Sequence, residues 1–269
     1  MMNTTHGESD LQPPARFERA FLVTAALLFC TSALATLRLC NAMSDMPGMP
    51  MPGGWHMSMA WMRMPGQGWD DAAAAFLAMW CVMMVAMMSP ALLPMLRRYH
   101  RGVGCVGDAR LAGLTALVAG GYFAVWAAVG AIVYVCGVAL AAFVMASPAL
   151  SHAVPLAIGL LAIAVGALQF GARKQRRLVC CERRHRVAAD GSAAWKHGLR
   201  IGLHCVRCCA GFTLLLLVFG VMDLLVMAIV TIAITAERLA PARSGVAQAL
   251  GVATIAVGAA WSLRAAGLV

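Results

Sequence analysis

Fourteen of the nineteen methionines lie between Met43 and Met95, first in MSDMPGMPMPGGWHMSMAWMRMPG and then in MWCVMMVAMMSP. Thioether sulfur is a neutral, soft ligand that binds without losing a proton. Methionine at this density beside cysteine therefore suits Cu(I) better than Zn, Mg or Ca. A second group of soft donors sits in GLHCVRCCAGF, which carries His204, Cys205, Cys208 and Cys209. On a helix Cys205 shares a face with Cys208 and Cys209, and His204 with Cys208, so three thiols and an imidazole are expected to converge. This is not the paired CxxC pattern of a zinc ribbon. Cys180 and Cys181, in the basic run RKQRRLVCCERRH, are candidates for further thiolates.

Within the second methionine stretch, Met79, Met83 and Met87 are spaced i, i+4, i+8, and Met84 and Met88 form a second i, i+4 pair. At ~100° per residue the five line about half of a helix as one thioether flank. The first stretch is different. Pro47, Pro50, Pro52, Gly53, Gly54 and Pro65 forbid a regular helix and predict an extended, mobile arm. Alternate spacing in Met49/Met51, Met57/Met59 and Met62/Met64 puts sulfurs in pairs on one side of such an arm, and His56 adds an imidazole. Each group has a competing structural reading. Methionine in a membrane helix commonly serves packing, the arm's Trp55, Trp61 and Trp69 suit an interfacial belt, and the cysteines resemble small residues beside Gly198, Gly202 and Gly211.

The elements that must position these groups follow from composition. With 62% hydrophobic and 12% charged residues over 269 positions, the chain is read as an integral membrane protein. Apolar runs at about 19–38, 72–96, 111–139, 153–171, 210–235 and 245–263 predict an all-α polytopic bundle of about six transmembrane helices in a single domain, 1–269. The methionine arm, 40–71, becomes an exterior loop and 172–209 a basic cytoplasmic loop. Net charge +10 would suit nucleic acid, but seventeen of the lysines and arginines fall on one set of loops and only Arg38, Arg63, Arg238 and Arg243 on the other. That is positive-inside patterning, facing anionic membrane lipid, and it predicts cytoplasmic N- and C-termini. Arg16 and Arg19 before Ala33-Leu34-Ala35 also have the form of a signal peptide; the arm stays outside either way. Asp223 falls midway through the run 210–235 and is an intramembrane carboxylate with Gln169, Tyr122 and Trp126 as candidate partners. Glu237-Arg238 is read as an interfacial ion pair at the outer face.

WCVMMVAMMSP resembles the W-x-x-M-x-x-A-M-M-x-P signature of a bacterial family of predicted metal-binding integral membrane proteins, formerly a domain of unknown function. GLHCVRCCAGF…GVMDL…ER is similar to that family's G-L-x-C-x-x-C-C…G-V-M-N-L…E-K, and Tyr122, Trp126, Gln169, Lys174 and Trp195 extend the likeness over about 72–240. Departures are Arg177 where the family has the first cysteine of its loop run, Cys181 at the second with Cys180 beside it, Asp223 for Asn, and Ala210 for Trp. The resemblance implies a copper chaperone of the bacterial inner membrane, not an enzyme. It would carry copper to a copper-dependent enzyme such as a polyphenol oxidase, or exchange it with a soluble carrier. Rival readings are a copper channel or secondary carrier, a metal-free membrane assembly subunit, and a thiol oxidoreductase using Cys205 and Cys208; no P-type phosphorylation motif or nucleotide loop is present.

Overall fold

The computed structural model describes residues 15–44, 48–63, 66–103, 106–171, 189–240 and 245–267. In chain order the elements are α1 (Ala15–Ser44), β1 (Met49–Met51), β2 (Trp55–Met57), a 3-10 turn (Met59–Trp61), α2 (Trp69–Val103), α3 (Asp108–Ala146), α4 (Pro148–Leu168), α5 (Gly191–Gly220), α6 (Leu224–Leu239) and α7 (Val246–Ala265). The fold is the all-α bundle expected, and six of the described helices, all but α6, are long and apolar enough to cross a membrane. Met46, Met64, Cys105, Cys180 and Cys181 lie outside the described residues.

The fifth long helix is not the expected 210–235. It starts at Gly191, inside the segment read as a cytoplasmic loop, and ends at Gly220. Ala194, Gly198, Gly202, Cys205, Cys209, Phe212 and Leu216 are buried at steps of three or four, while Lys196, Arg200 and Arg207 are exposed. The charges on the exposed side of this amphipathic helix make its first half resemble a loop. Asp190 caps it, accepting from the amides of Ser192 at 3.1 Å and Ala193 at 3.3 Å. The Ser192 hydroxyl and the Ala193 amide hold this carboxyl below the usual carboxylate range. The helix stops where Gly220 adopts φ +136°, a conformation that favours glycine. Asp223 then caps α6 by accepting from Leu225 N at 2.8 Å and Val226 N at 3.0 Å. Asp223 is thus an exposed cap residue and not a mid-span carboxylate, and the apolar run 210–235 is folded back on itself.

Paired contacts fix the helix directions. Glu18 meets Arg97 at 3.8 Å and Phe21 packs on His100, which sets the start of α1 against the end of α2 and makes the two antiparallel. Phe76 faces Tyr134 while His100 Nε2 bonds Thr115 at 2.8 Å, so α2 and α3 are antiparallel as well. Val118 backs onto Gly198 and Val125 onto Gly202, making α3 and α5 parallel. Gly159 abuts Gly258 and Gly166 abuts Gly251, making α4 and α7 antiparallel. Trp261 near the end of α7 packs edge-on against Phe219, beside the α5–α6 turn. The start of α1 and the end of α7 therefore lie at opposite ends of the bundle. An extra reversal at 220–223 does this, and it puts Arg264 at the end of the bundle that carries the methionine arm.

Pro90 and Pro94 sit inside α2 without ending it. The Ser89 hydroxyl donates to the carbonyl of Val85, one residue before the Ala86 carbonyl that Pro90 leaves without its amide donor. Closest approach occurs between α3 and α5: a Cβ on Gly121 would lie 2.6 Å from the carbonyl oxygen of Trp195, and one on Gly198 would overlap the Val118 backbone. Gly198→Ala should cost ~1–3 kcal/mol by forcing the helices apart. Gly113→Ala, on the same bundle but with open space around it, should be neutral or stabilise by ~0.5–1 kcal/mol. Thermal unfolding of the two detergent-purified variants checks the contrast; equal midpoints would contradict it.

Candidate metal centre

The α2 flank faces inward. Met83, Met84, Met87 and Met88 are at most 3% exposed, and Met79 is partly buried against the same core. Trp80 anchors this stretch: its indole Nε1 donates to the Trp126 carbonyl at 2.9 Å, with its ring laid over Gly130. Outward from Trp80 stand Phe76 at 6.0 Å and then Tyr134 and Trp61, an aromatic stack between the arm and the methionines. One turn inward along α2 from Trp80 are Met83 and Met84. One turn inward along the antiparallel α3 from Trp126 is Tyr122, whose hydroxyl donates to Cys205 Sγ at 3.0 Å. The thioether flank and the thiols of α5 therefore occupy one layer of the bundle and one contiguous core.

On α5, Cys205, Cys208 and Cys209 are all buried. Only Cys205 and Cys209, one full turn apart, have their sulfurs facing at 3.8 Å. Cys208 sits ~100° round the helix from Cys209, and His204 is half-exposed. The expected convergence of three thiols with an imidazole is not what forms: among the described residues no three His, Cys, Asp or Glu side chains are arranged to hold a metal ion. Cys209 instead meets a residue from another helix, Arg238, whose Nη2 lies 3.8 Å from its sulfur. A chain of contacts, Tyr122 to Cys205 to Cys209 to Arg238, thus crosses α3, α5 and α6. These thiols stand midway along α5 and not at the mouth of a span, and Glu237, read as half of an interfacial pair, is buried.

The arm is a docked hairpin, not a loose strand. Met49 pairs with Met57, Pro50 with His56 and Met51 with Trp55. Directly paired residues share a face, so Met49, Met51 and Met57 lie together and His56 lies on the opposite face. Met57 is buried against Ala141 and Val144, Met51 and Met59 are half-buried, and Met49 is 42% exposed. Gly53 at φ +102° makes the turn, and its bare Cα lets the tip approach Ser151 and His152. Two bonds fasten it there: Trp55 Nε1 to Ser151 O at 3.0 Å and Ser151 Oγ to Pro52 O at 2.7 Å.

A model of the PpoB2 copper chaperone family matches residues 77–261, more than half of the chain. The chain belongs to this copper chaperone family. It is a chaperone family and not one of enzymes. No curated protein and no solved structure matches the chain. The PpoB2 match takes in the whole Met79–Met88 flank, Tyr122, the α5 cysteines and Arg238, and it begins after the methionine hairpin.

Two features here were not singled out from the sequence as parts of a site. Arg238 reaches the thiols only because the chain reverses at Gly220, and the Gly…Asp stop and start pattern was the one signal for that reversal. Cys40 Sγ lies 3.9 Å from Met227 Sδ, joining α1 to α6. For the hairpin, Trp55→Phe with Ser151→Ala should free the tip by ~1–2 kcal/mol, about ten-fold in open population. Proteolytic cleavage between 48 and 63 should accelerate accordingly; an unchanged rate would show that these bonds do not hold the arm.

Proposed function

We propose that the chain is a multi-pass protein of the bacterial inner membrane that holds Cu(I) as cargo between the α5 thiols Cys205 and Cys209 and the α2 methionines. From there copper passes to or from a copper-dependent enzyme or soluble carrier. The observation that carries this reading is the burial of Met83, Met84, Met87 and Met88 in one core with Cys205 and Cys209, in a chain of a copper chaperone family. Thioether and thiolate are the ligand types Cu(I) prefers over the oxygen donors that suit Mg, Ca or Mn. The 3.8 Å separation of the two sulfurs fits as well. With metal–sulfur bonds of ~2.3 Å an ion between them would be bent at about 110°, leaving a third corner for a thioether. The neutral methionines complete the shell without adding charge to the interior.

Met49 and Met51 on the outer hairpin give a second, weaker set of thioethers at the end of the bundle where cargo is exchanged. Met57 and Met59 serve there more as packing, and His56, pointing the other way, is free to meet an incoming partner. Cys208, His204 and Cys181 remain secondary candidates.

Purified protein loaded with Cu(I) and passed over a desalting column tests the assignment. Cys205→Ser with Cys209→Ser should lower retained copper by about one ion per chain, since thiolate ligation supplies most of the site's affinity. Met83, Met87 and Met88 each replaced by Leu should weaken retention with the fold intact, because Leu for Met conserves volume at less than ~1.5 kcal/mol. Equal copper content in all three proteins would sink the reading.

A further inference from the structure

Arg238 is an arginine on an apolar helix whose guanidinium turns inward to a pair of buried thiols. Charged groups inside a membrane bundle are costly and persist where they serve a partner or a site. Its Nη2 lies 3.8 Å from Cys209 Sγ, and Cys209 in turn faces Cys205 at 3.8 Å. Any ion seated between these sulfurs lies within a few ångströms of a fixed positive charge. Tyr122, which donates a hydrogen bond to Cys205, carries no charge.

We infer that Arg238 is a specificity-determining residue, which biases the Cys205–Cys209 site toward monovalent soft ions and against divalent ones. This rests on the copper-site reading above and deepens it. Two thiolates bind Cu(I), Ag(I), Zn(II) or Cd(II) alike by ligand type, so softness alone does not separate these ions in a dithiolate site. Charge does. A divalent ion carries one more unit of charge than a monovalent ion in the same place, and the guanidinium repels that extra unit across a poorly screened interior. Glu237, next along α6 and buried, is the same in the wild-type chain and in every Arg238 variant, so it leaves the direction of Arg238's effect unchanged. Arginine suits this role better than lysine would at an exposed site, since it stays charged under all conditions and is weakly hydrated.

The test uses the full chain in detergent and compares Ag(I) and Cd(II) affinities by competition, with the cadmium–thiolate ultraviolet band as readout. Arg238→Gln should lower the Ag(I)-to-Cd(II) affinity ratio by about ten-fold or more, the change that ~1.4 kcal/mol produces. Arg238→Lys should restore the ratio toward wild type. Arg238→Thr supplies a second neutral replacement should the glutamine variant fail to fold. A purely structural role would lower both affinities together with the ratio intact, and that result overturns the inference. Failure of the parent reading looks different: Ag(I) binding by the wild-type chain would then be indifferent to Cys205→Ser with Cys209→Ser.

Discussion

Helices α3 and α5 touch backbone to backbone, and much of the candidate site depends on that contact. In lipid there is little hydrophobic force between helices, so association rests on close packing and on the few polar bonds that packing permits. Gly121, Gly198 and Gly202 provide the bare surfaces that allow it. Because the two helices run parallel, Tyr122 meets Cys205 one turn along from the glycine contact. A side chain at Gly198 would press on the Val118 backbone and push α3, with its tyrosine, away from the Cys205 sulfur. The hydrogen bond itself is worth only ~1 kcal/mol by the measures available for membrane bundles. Its consequence is positional, since it sets the rotamer of Cys205 and with it the approach to Cys209.

The reversal at Gly220–Asp223 supplies what a straight span would have withheld. A continuous helix over 210–235 would have carried Arg238 to the far face. Folding back lays α6 along α5, so that Met227 meets Cys40 near one end and Arg238 meets Cys209 further in. The result is a bundle interior in which sulfur recurs from the hairpin inward: Met57 on the arm, Cys40 with Met227, the α2 methionines, then Cys209 and Cys205. The aromatic stack of Trp61, Phe76 and Trp80 stands between the first of these and the last. These side chains are buried, and they are the soft donor types that the proposed copper cargo calls for.

How far the sequence speaks is clear from particular residues. The α2 flank was legible because five methionines at helical spacing within one apolar run admit a single geometry. The arm's hairpin was half-legible: Gly53-Gly54 signals a turn, but proline density suggested a free strand, and the bonds from Trp55 and Ser151 that dock it join segments far apart in the chain. Residues 191–209 misled because Lys196, Arg200 and Arg207 resemble a cytoplasmic loop, whereas they line the exposed side of a helix whose buried stripe is glycine, alanine and cysteine. A hydropathy average does not register Gly220 and Asp223 as a stop and a start within the run 210–235, and from that oversight followed the misplaced Asp223 and the misplaced Arg238. The thiol cluster was overdrawn for a simpler reason: positions i and i+3 share a face loosely, and only the i, i+4 pair brought its sulfurs together.

X-ray absorption at the copper edge on the Cu(I)-loaded full chain addresses the central claim most directly. The account predicts a shell made of sulfur alone, two or three atoms at ~2.3 Å, that loses its short thiolate component when Cys205 and Cys209 are replaced by serine. A shell dominated by nitrogen or oxygen, or a sulfur shell indifferent to those replacements, would contradict it.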